Sequence, residues 1–311
     1  MLRLLCKAAL LSIATGATVA AVLFLPAPRN DYLDAIVDKQ ARLKSLPPGK
    51  VVLIGGSNVA FGLDTKQLES ALGRPAVNMG LHGATGTPFA LDTVRSEVER
   101  GDLYVVAAEY DTLFVRPESR RMLCRAALAL PEPWKLLGAW DTARCYALTW
   151  ADRFQLNSEW VIRRALGMKL RLGEDVTYDR AAFNEYGDMV GHLALRPTFD
   201  PRTLSKEPFG PVDEEVLEEL HSFVSYAHGR GAMVLFTYPA YSRDAYAINR
   251  GSIDRLHRRL SEGLPVLGSP EDFVLDSADF YDTKYHLNAT GRQRRTAKLI
   301  ELLQRVVPSK D

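Results

Sequence analysis

The sequence has little concentrated charge of either sign. Its 39 lysines and arginines are balanced by 38 aspartates and glutamates, and the basic residues are spread along all 311 positions. Nucleic-acid binding leans on a concentrated positive surface, so a nucleic-acid partner is not expected. Histidine is scarce and scattered. His221 and His228 stand two helical turns apart, about 10 Å along an axis, too far to chelate one ion. No metal or other cofactor is therefore expected. Gly80, Gly83 and Gly86 do not follow the dinucleotide G-x-G-x-x-G spacing, and no phosphate-loop lysine comes after them. Internal repeats and low-complexity tracts are absent. With 47% apolar and 25% charged residues the chain is ordinary enough to fold, as one large α/β domain or two smaller ones.

What is present begins at the N-terminus. Arg3 and Lys7 precede an uncharged run from Ala8 to Leu25, followed by Pro26 and Pro28. Such a run approaches the length needed to cross a bilayer as a helix. A cleaved signal peptide and an uncleaved anchor compete here. The absence of a small-x-small cleavage site after Leu25 favours the anchor. Arg3 and Lys7 would then stay cytoplasmic and the remainder would be extracytoplasmic. Residues 1–28 are thus an anchor or signal segment, and 29–49 read as a polar linker. Cys6 lies before the apolar run, which argues against a lipoprotein site. Cys124 and Cys145 are the only other cysteines, and in an exported chain they are expected to form a disulfide.

From Lys50 onward, strand and helix patterns alternate. "KVVLIGG" (50–56), "PAVNMG" (75–80), "DLYVVAAEY" (102–110) and "AMVLFTY" (232–238) are short apolar runs suited to buried parallel strands, and "LPVLG" (264–268) is a candidate fifth. Between them fall helices. One is opened by Asp64 with Gln67 in capping-box spacing, and another by Thr87 with Pro88 after it. A third spans 212–231, and the last follows Asn288, with Ala297, Ile300, Leu303 and Val307 inward. In this pattern "NAT" (288–290) reads as a helix cap and "RQRR" (292–295) as a solvated face. The alternation predicts a parallel sheet covered on both faces. Residues 112–211 interrupt it for too long to be a bare loop, and they predict an inserted helical subdomain within a 50–311 domain.

Ligands of open parallel sheets bind beyond the carboxyl ends of the strands. The first strand ends in "GGSN", which puts Ser57 there. The second leads into "NMGLHGATG", and "YDTKYHLNATG" carries Asp282 and His286 before the last helix. Serine becomes a useful nucleophile only when a base takes its proton and an acid orients that base. In this order the three blocks resemble the SGNH (GDSL-like) hydrolase superfamily over residues 50–110 and 232–307. The resemblance implies a three-layer, flavodoxin-like α/β fold. It implies Ser57 as nucleophile, His286 as base and Asp282 as orienting acid. It also implies an oxyanion hole from Ser57 and Gly83; Asn58, next to Ser57, is the amide donor expected in place of the asparagine this chain lacks after the third strand.

Two departures stand beside it. The usual acid sits three residues before the base, where this chain has Thr283; Asp282 is four before, and Asp279 is the alternative acid. The asparagine usual after the third strand is replaced in "AAEYDTLF" by Glu109 or Tyr110, and an ionised glutamate would oppose a developing oxyanion. Membrane-anchored members commonly act on acetyl esters of surface polysaccharides. Three expectations follow: an extracytoplasmic esterase or O-acyltransferase on such esters, a lipid esterase or thioesterase capped by the insert, or a non-catalytic binding protein of cell-envelope assembly.

Overall fold

The computed structural model describes residues 1–25, 31–114, 120–168, 176–207 and 209–307. Helix α1 (Leu2–Phe24) stands almost wholly exposed. Its Arg3–Leu23 stretch, with mean hydropathy 1.7, is long and apolar enough to cross a membrane. Pro26 and Pro28, which end the apolar segment in the sequence, lie outside the described residues.

The segment read as a linker is helical instead: α2 spans Ala35–Ser45 and buries Ala35, Ile36, Lys39 and Leu43. These positions recur at helical spacing, but a lysine stands in the middle of the stripe and disguises it. The Lys39 ammonium donates to the main-chain oxygens of Asn78 (2.9 Å) and Gly187. Burial pushes its pKa down to about 7, partly countered by Asp188 and Asp38.

The sheet is built from β1 (Val51–Gly55), β2 (Ala76–Asn78), β3 (Leu103–Ala107) and β4 (Met233–Phe236), all parallel, in the order β2-β1-β3-β4. The two central strands, β1 and β3, are buried nearly throughout, as their continuous apolar sequence requires. Helices α3 (Ser57–Gly62) and α4 (Thr65–Leu72) follow β1, and Asp64 caps α4 by accepting from the Gln67 N–H at 3.0 Å. Helix α5 (Thr87–Arg95) starts one residue earlier than expected, with Gly86 rather than Thr87 as its cap.

Beneath β1 and β3, Lys50 meets Asp102 at 2.7 Å, with both side chains at most 1% exposed. Asp102 also accepts from the main-chain N–H groups of Gly49 (2.8 Å) and Glu99 (3.0 Å). Without Asp102 the buried Lys50 ammonium keeps only the half-exposed Glu99, at 2.9 Å, and the N–H groups of Gly49 and Glu99 lose their acceptor. Asp102→Ala is therefore expected to destabilise the fold by about 3–5 kcal/mol, read as a lowered urea midpoint at unchanged slope.

The insert begins as α6 (Arg120–Ala127), α7 (Pro133–Leu137) and α8 (Ala139–Ala165). It is helical only in this first part; residues 176–207 run as turns and single 3-10 segments. Asp188 ties that second part to the sheet domain, accepting from the Thr65 N–H (3.0 Å), the Asn78 amide (2.8 Å) and Arg292 (2.9 Å). Cys124 of α6 and Cys145 of α8 are bridged, 21 residues apart, as the sequence led us to expect. Reduction should cost about 3 kcal/mol through regained chain entropy, measurable as a lower thermal midpoint with dithiothreitol.

The chain returns through α9 (Glu214–Gly229), β4, and then β5 (Tyr241–Ser242), which flows into α10 (Arg243–Ser261). β5 pairs in parallel with β6 (Val274–Leu275) in a second, two-stranded sheet. Residues 264–268 do not form the fifth strand; Val266 makes one parallel bridge to Phe236. Helix α11 (Ala289–Val306) closes the domain, capped by Asn288, whose side chain accepts from the N–H groups of Thr290 and Gly291. Its inner face is not quite the expected one. Ile300, Leu303 and Val307 are buried, but Ala297 is exposed.

The "RQRR" run is not a solvated face either: Arg292 and Arg295 are buried. Arg292 satisfies Asp188 and the Leu63 carbonyl (2.7 Å), and Arg295 donates to the Asn58 carbonyl. Long charged side chains can enter a core when carbonyls receive them. Their letters in a sequence do not reveal it.

Candidate active site

Ser57 is the first residue of α3, directly beyond the carboxyl end of β1, and Phe61 lies one helical turn later. Residues four apart share a helix face. The His286 imidazole lies flat on Phe61, ring centroids 4.0 Å apart and 7° from parallel. The histidine is therefore seated on the face of the helix that Ser57 opens. No measured direct bond joins the two. The Ser57 hydroxyl instead donates to Glu109 Oε1 at 2.7 Å.

His286 Nδ1 pairs with Asp282 Oδ1 at 2.7 Å, and the other carboxylate oxygen accepts from Tyr178 of the insert at 2.5 Å. Thr283 explains the four-residue spacing. Its Oγ1 accepts from the main-chain N–H groups of Tyr285 (3.2 Å) and His286 (3.1 Å). The hydroxyl thus ties off a tight turn, leaving Asp282 to reach the imidazole. Asp279, the alternative partner, is buried and pairs with Arg294 at 2.7 Å instead of His286. Burial works to raise the Asp282 pKa, but hydrogen bonds from His286 and Tyr178 outweigh it and hold the carboxylate below its ordinary range. With Nδ1 engaged by Asp282, Nε2 is the nitrogen left to exchange a proton.

Where the resemblance implied an asparagine, Glu109 reaches in from the end of β3. Its Oε1 accepts from both the Ser57 hydroxyl and the Asn58 main-chain N–H (3.0 Å). Gly56 and Gly83 wall it in. A Cβ at Gly56 would lie 2.5 Å from Oε1, and one at Gly83 would overlap Oε2 outright. Burial is the main force raising the Glu109 pKa, and Asp111 adds to it; the Asn58 N–H, the Ser57 hydroxyl and His286 act the other way.

The Asn58 side chain does not serve as the expected donor, because its amide is spent on the Ala107 carbonyl at 2.9 Å. What Asn58 offers the site is its main-chain N–H. Tyr110, the other candidate of the third block, is buried edge-on against Tyr241, with ring centroids 5.1 Å apart. Gly83 does flank the site, through its Cα against the Glu109 carboxyl.

Ser57, Gly83, Asp282 and His286 are thus drawn to one edge of the sheet. Sequence reasoning missed Phe61, although its place four residues after Ser57 was a signal that could have found it. It missed Tyr178 too, because nothing in the sequence of the insert ties it to the last loop. Among the described residues no group of three or more His, Cys, Asp or Glu is arranged to hold a metal ion. The chain matches no known family model and no curated protein sequence.

Proposed function

We propose that the chain is an extracytoplasmic serine esterase or O-acyltransferase of SGNH type, working through a Ser57 acyl-enzyme. The observation that carries this reading is the Asp282–His286 pair seated on the helix that Ser57 opens. Asp282 holds the imidazole in the tautomer whose Nε2 accepts a proton. The Ser57 hydroxyl leaves Glu109, gives its proton to Nε2 and bonds to the acyl carbon. Collapse of the tetrahedral intermediate expels the alcohol, which takes the proton from the imidazolium. Water or a second hydroxyl then attacks the ester on Ser57, with hydrolysis or transfer as the outcome. The Asn58 main-chain N–H is placed to steady the oxyanion. It is released for that role only when Glu109 gives it up.

Acetyl esters of surface polysaccharide are the substrate the resemblance implies. The apolar α1 and the disulfide support an extracytoplasmic setting for them. A lipid ester under an apolar cap is less well supported, since the insert brings the Tyr178 hydroxyl to the pair. A second reading, a non-catalytic binding protein of envelope assembly, draws on one observation: a carboxyl group already fills the place of the oxyanion. Labelling with a serine-reactive fluorophosphonate separates the two. A covalent adduct on Ser57 that vanishes in Ser57→Ala supports the enzyme, and native protein that stays unlabelled supports the binding protein.

A further inference from the structure

The end of α1 is held by a side chain of the insert. The Asn157 amide, in the second half of α8, donates to the Val22 carbonyl at 2.7 Å and lies 3.3 Å from those of Leu23 and Leu25. They lie at the helix C-terminus, where the last carbonyls lack the full set of internal partners; Val22 also accepts a long bond from the Leu25 N–H at 3.4 Å. Asn157 is buried, although it sits on a helix with a largely exposed surface. α8 is thus built to receive α1, and a membrane span that ends at Leu25 brings the middle of α8 to the bilayer surface.

The composition of α8 fits that level. Trp140, Ala147, Trp150, Phe154, Val161 and Ala165 recur at spacings that keep them on one side of its 27 residues, and no charged residue interrupts that line. Trp140 is 71% exposed and Trp150 55%. The acidic residues Asp141, Asp152 and Glu159 all project elsewhere and are met by Arg120, Arg121 and Arg163. Arg144 and Arg164 flank the line, their guanidinium groups over the rings of Trp140 and Trp160. Exposed tryptophans on an apolar face with arginines beside it are the marks of a helix lying in a lipid interface.

The geometry points to α8 as a membrane-surface helix. α1 is retained, and the uncharged face of α8 rests in the lipid headgroup region beside it. A soluble partner would not account for the continuity with α1, because Asn157, which holds the end of the span, lies on the same helix three residues beyond Phe154. The proposal does not depend on Ser57 chemistry.

It is tested on the full chain carrying Cys6→Ser, reconstituted in nanodiscs of phosphatidylethanolamine and phosphatidylglycerol. An environment-sensitive nitrobenzoxadiazole probe is placed at Trp150→Cys, and in a separate protein at Ile248→Cys on α10, where the native side chain is also exposed. The probe at 150 is expected to emit at shorter wavelength and to lose most of its fluorescence to doxyl-labelled lipid, while the probe at 248 is unaffected. Equal, water-like behaviour at both positions overturns the proposal. So does a probe at 150 that is shielded from water but not quenched by lipid, which would mean that protein covers the face. Mature protein that begins after residue 25 removes the anchor and overturns it as well.

Discussion

Replacing Ser57 by alanine is expected to remove acyl transfer altogether, and His286→Ala to lower it by roughly four or more orders of magnitude. The two act as one unit, so the double variant should be no worse than either alone. Asp282→Asn should cost about as much as His286→Ala for a different reason. An amide at residue 282 can present its NH2 to Nδ1 and favour the wrong tautomer, while leaving the packing of Phe61 on the imidazole intact. Steady-state rates on an activated acetyl ester, with circular dichroism to verify folding, measure all three. If the non-catalytic reading is right, the native protein will already be at the background rate.

The second large effect is expected at Glu109. Its carboxyl is buried, its pKa is raised chiefly by that burial, and it holds both the Ser57 hydroxyl and the Asn58 N–H. An ionised group there would repel the negative charge that develops during acyl transfer, so the proposed mechanism requires Glu109 neutral. The sign of the pH dependence follows. Because the folded pKa lies above the unfolded one, the neutral form and its share of stability are fully present below the unfolded value. Both are lost as pH rises through the folded value.

Native activity should therefore fall on the alkaline side. In Glu109→Gln, whose amide oxygen can still accept from Ser57 and whose NH2 can donate, that limb should disappear. The gain at alkaline pH should approach the effect of one oxyanion donor, roughly 10²-fold or more. The same substitution should flatten the decline in unfolding free energy over that pH range. That readout holds whether or not the protein is an enzyme. A Glu109→Gln variant with an unchanged pH profile would show that the carboxyl does not govern the site.

Much of this arrangement is legible in the sequence. The four strands of the sheet announced themselves because parallel strands are buried on both faces and leave uninterrupted apolar runs, and the caps at Asp64 and Asn288 lie at the helix starts where they were expected. Two of the misreadings, the linker and the solvated face of the last helix, share one cause: charged side chains in buried positions. Lys39 inside α2 made a helix look like a linker, and Arg292 and Arg295 inside α11 looked like solvent-facing residues. Each is buried because carbonyl or carboxylate acceptors far away in sequence receive it.

The site divides the same way. Ser57, Asp282 and His286 could be singled out because strand ends and local spacing mark them, and the fold brings them to one edge of the sheet. Sequence flagged Glu109 as a misfit but gave no hint that its carboxyl would lie on the Ser57 hydroxyl. That depends on the glycine walls of Gly56 and Gly83, which only the folded backbone brings together. Thr283 illustrates the remaining gap. It stands three residues before His286, and its hydroxyl ties the turn from which Asp282 reaches the imidazole.

The most direct measurement of the central claim is the mass of the protein after brief exposure to 4-nitrophenyl acetate, followed by peptide mapping. The account predicts a single acetyl group on Ser57, formed in the native protein, absent in Ser57→Ala and strongly slowed in His286→Ala. An acetyl group on another residue, or one on Ser57 that forms equally fast without His286, would contradict it.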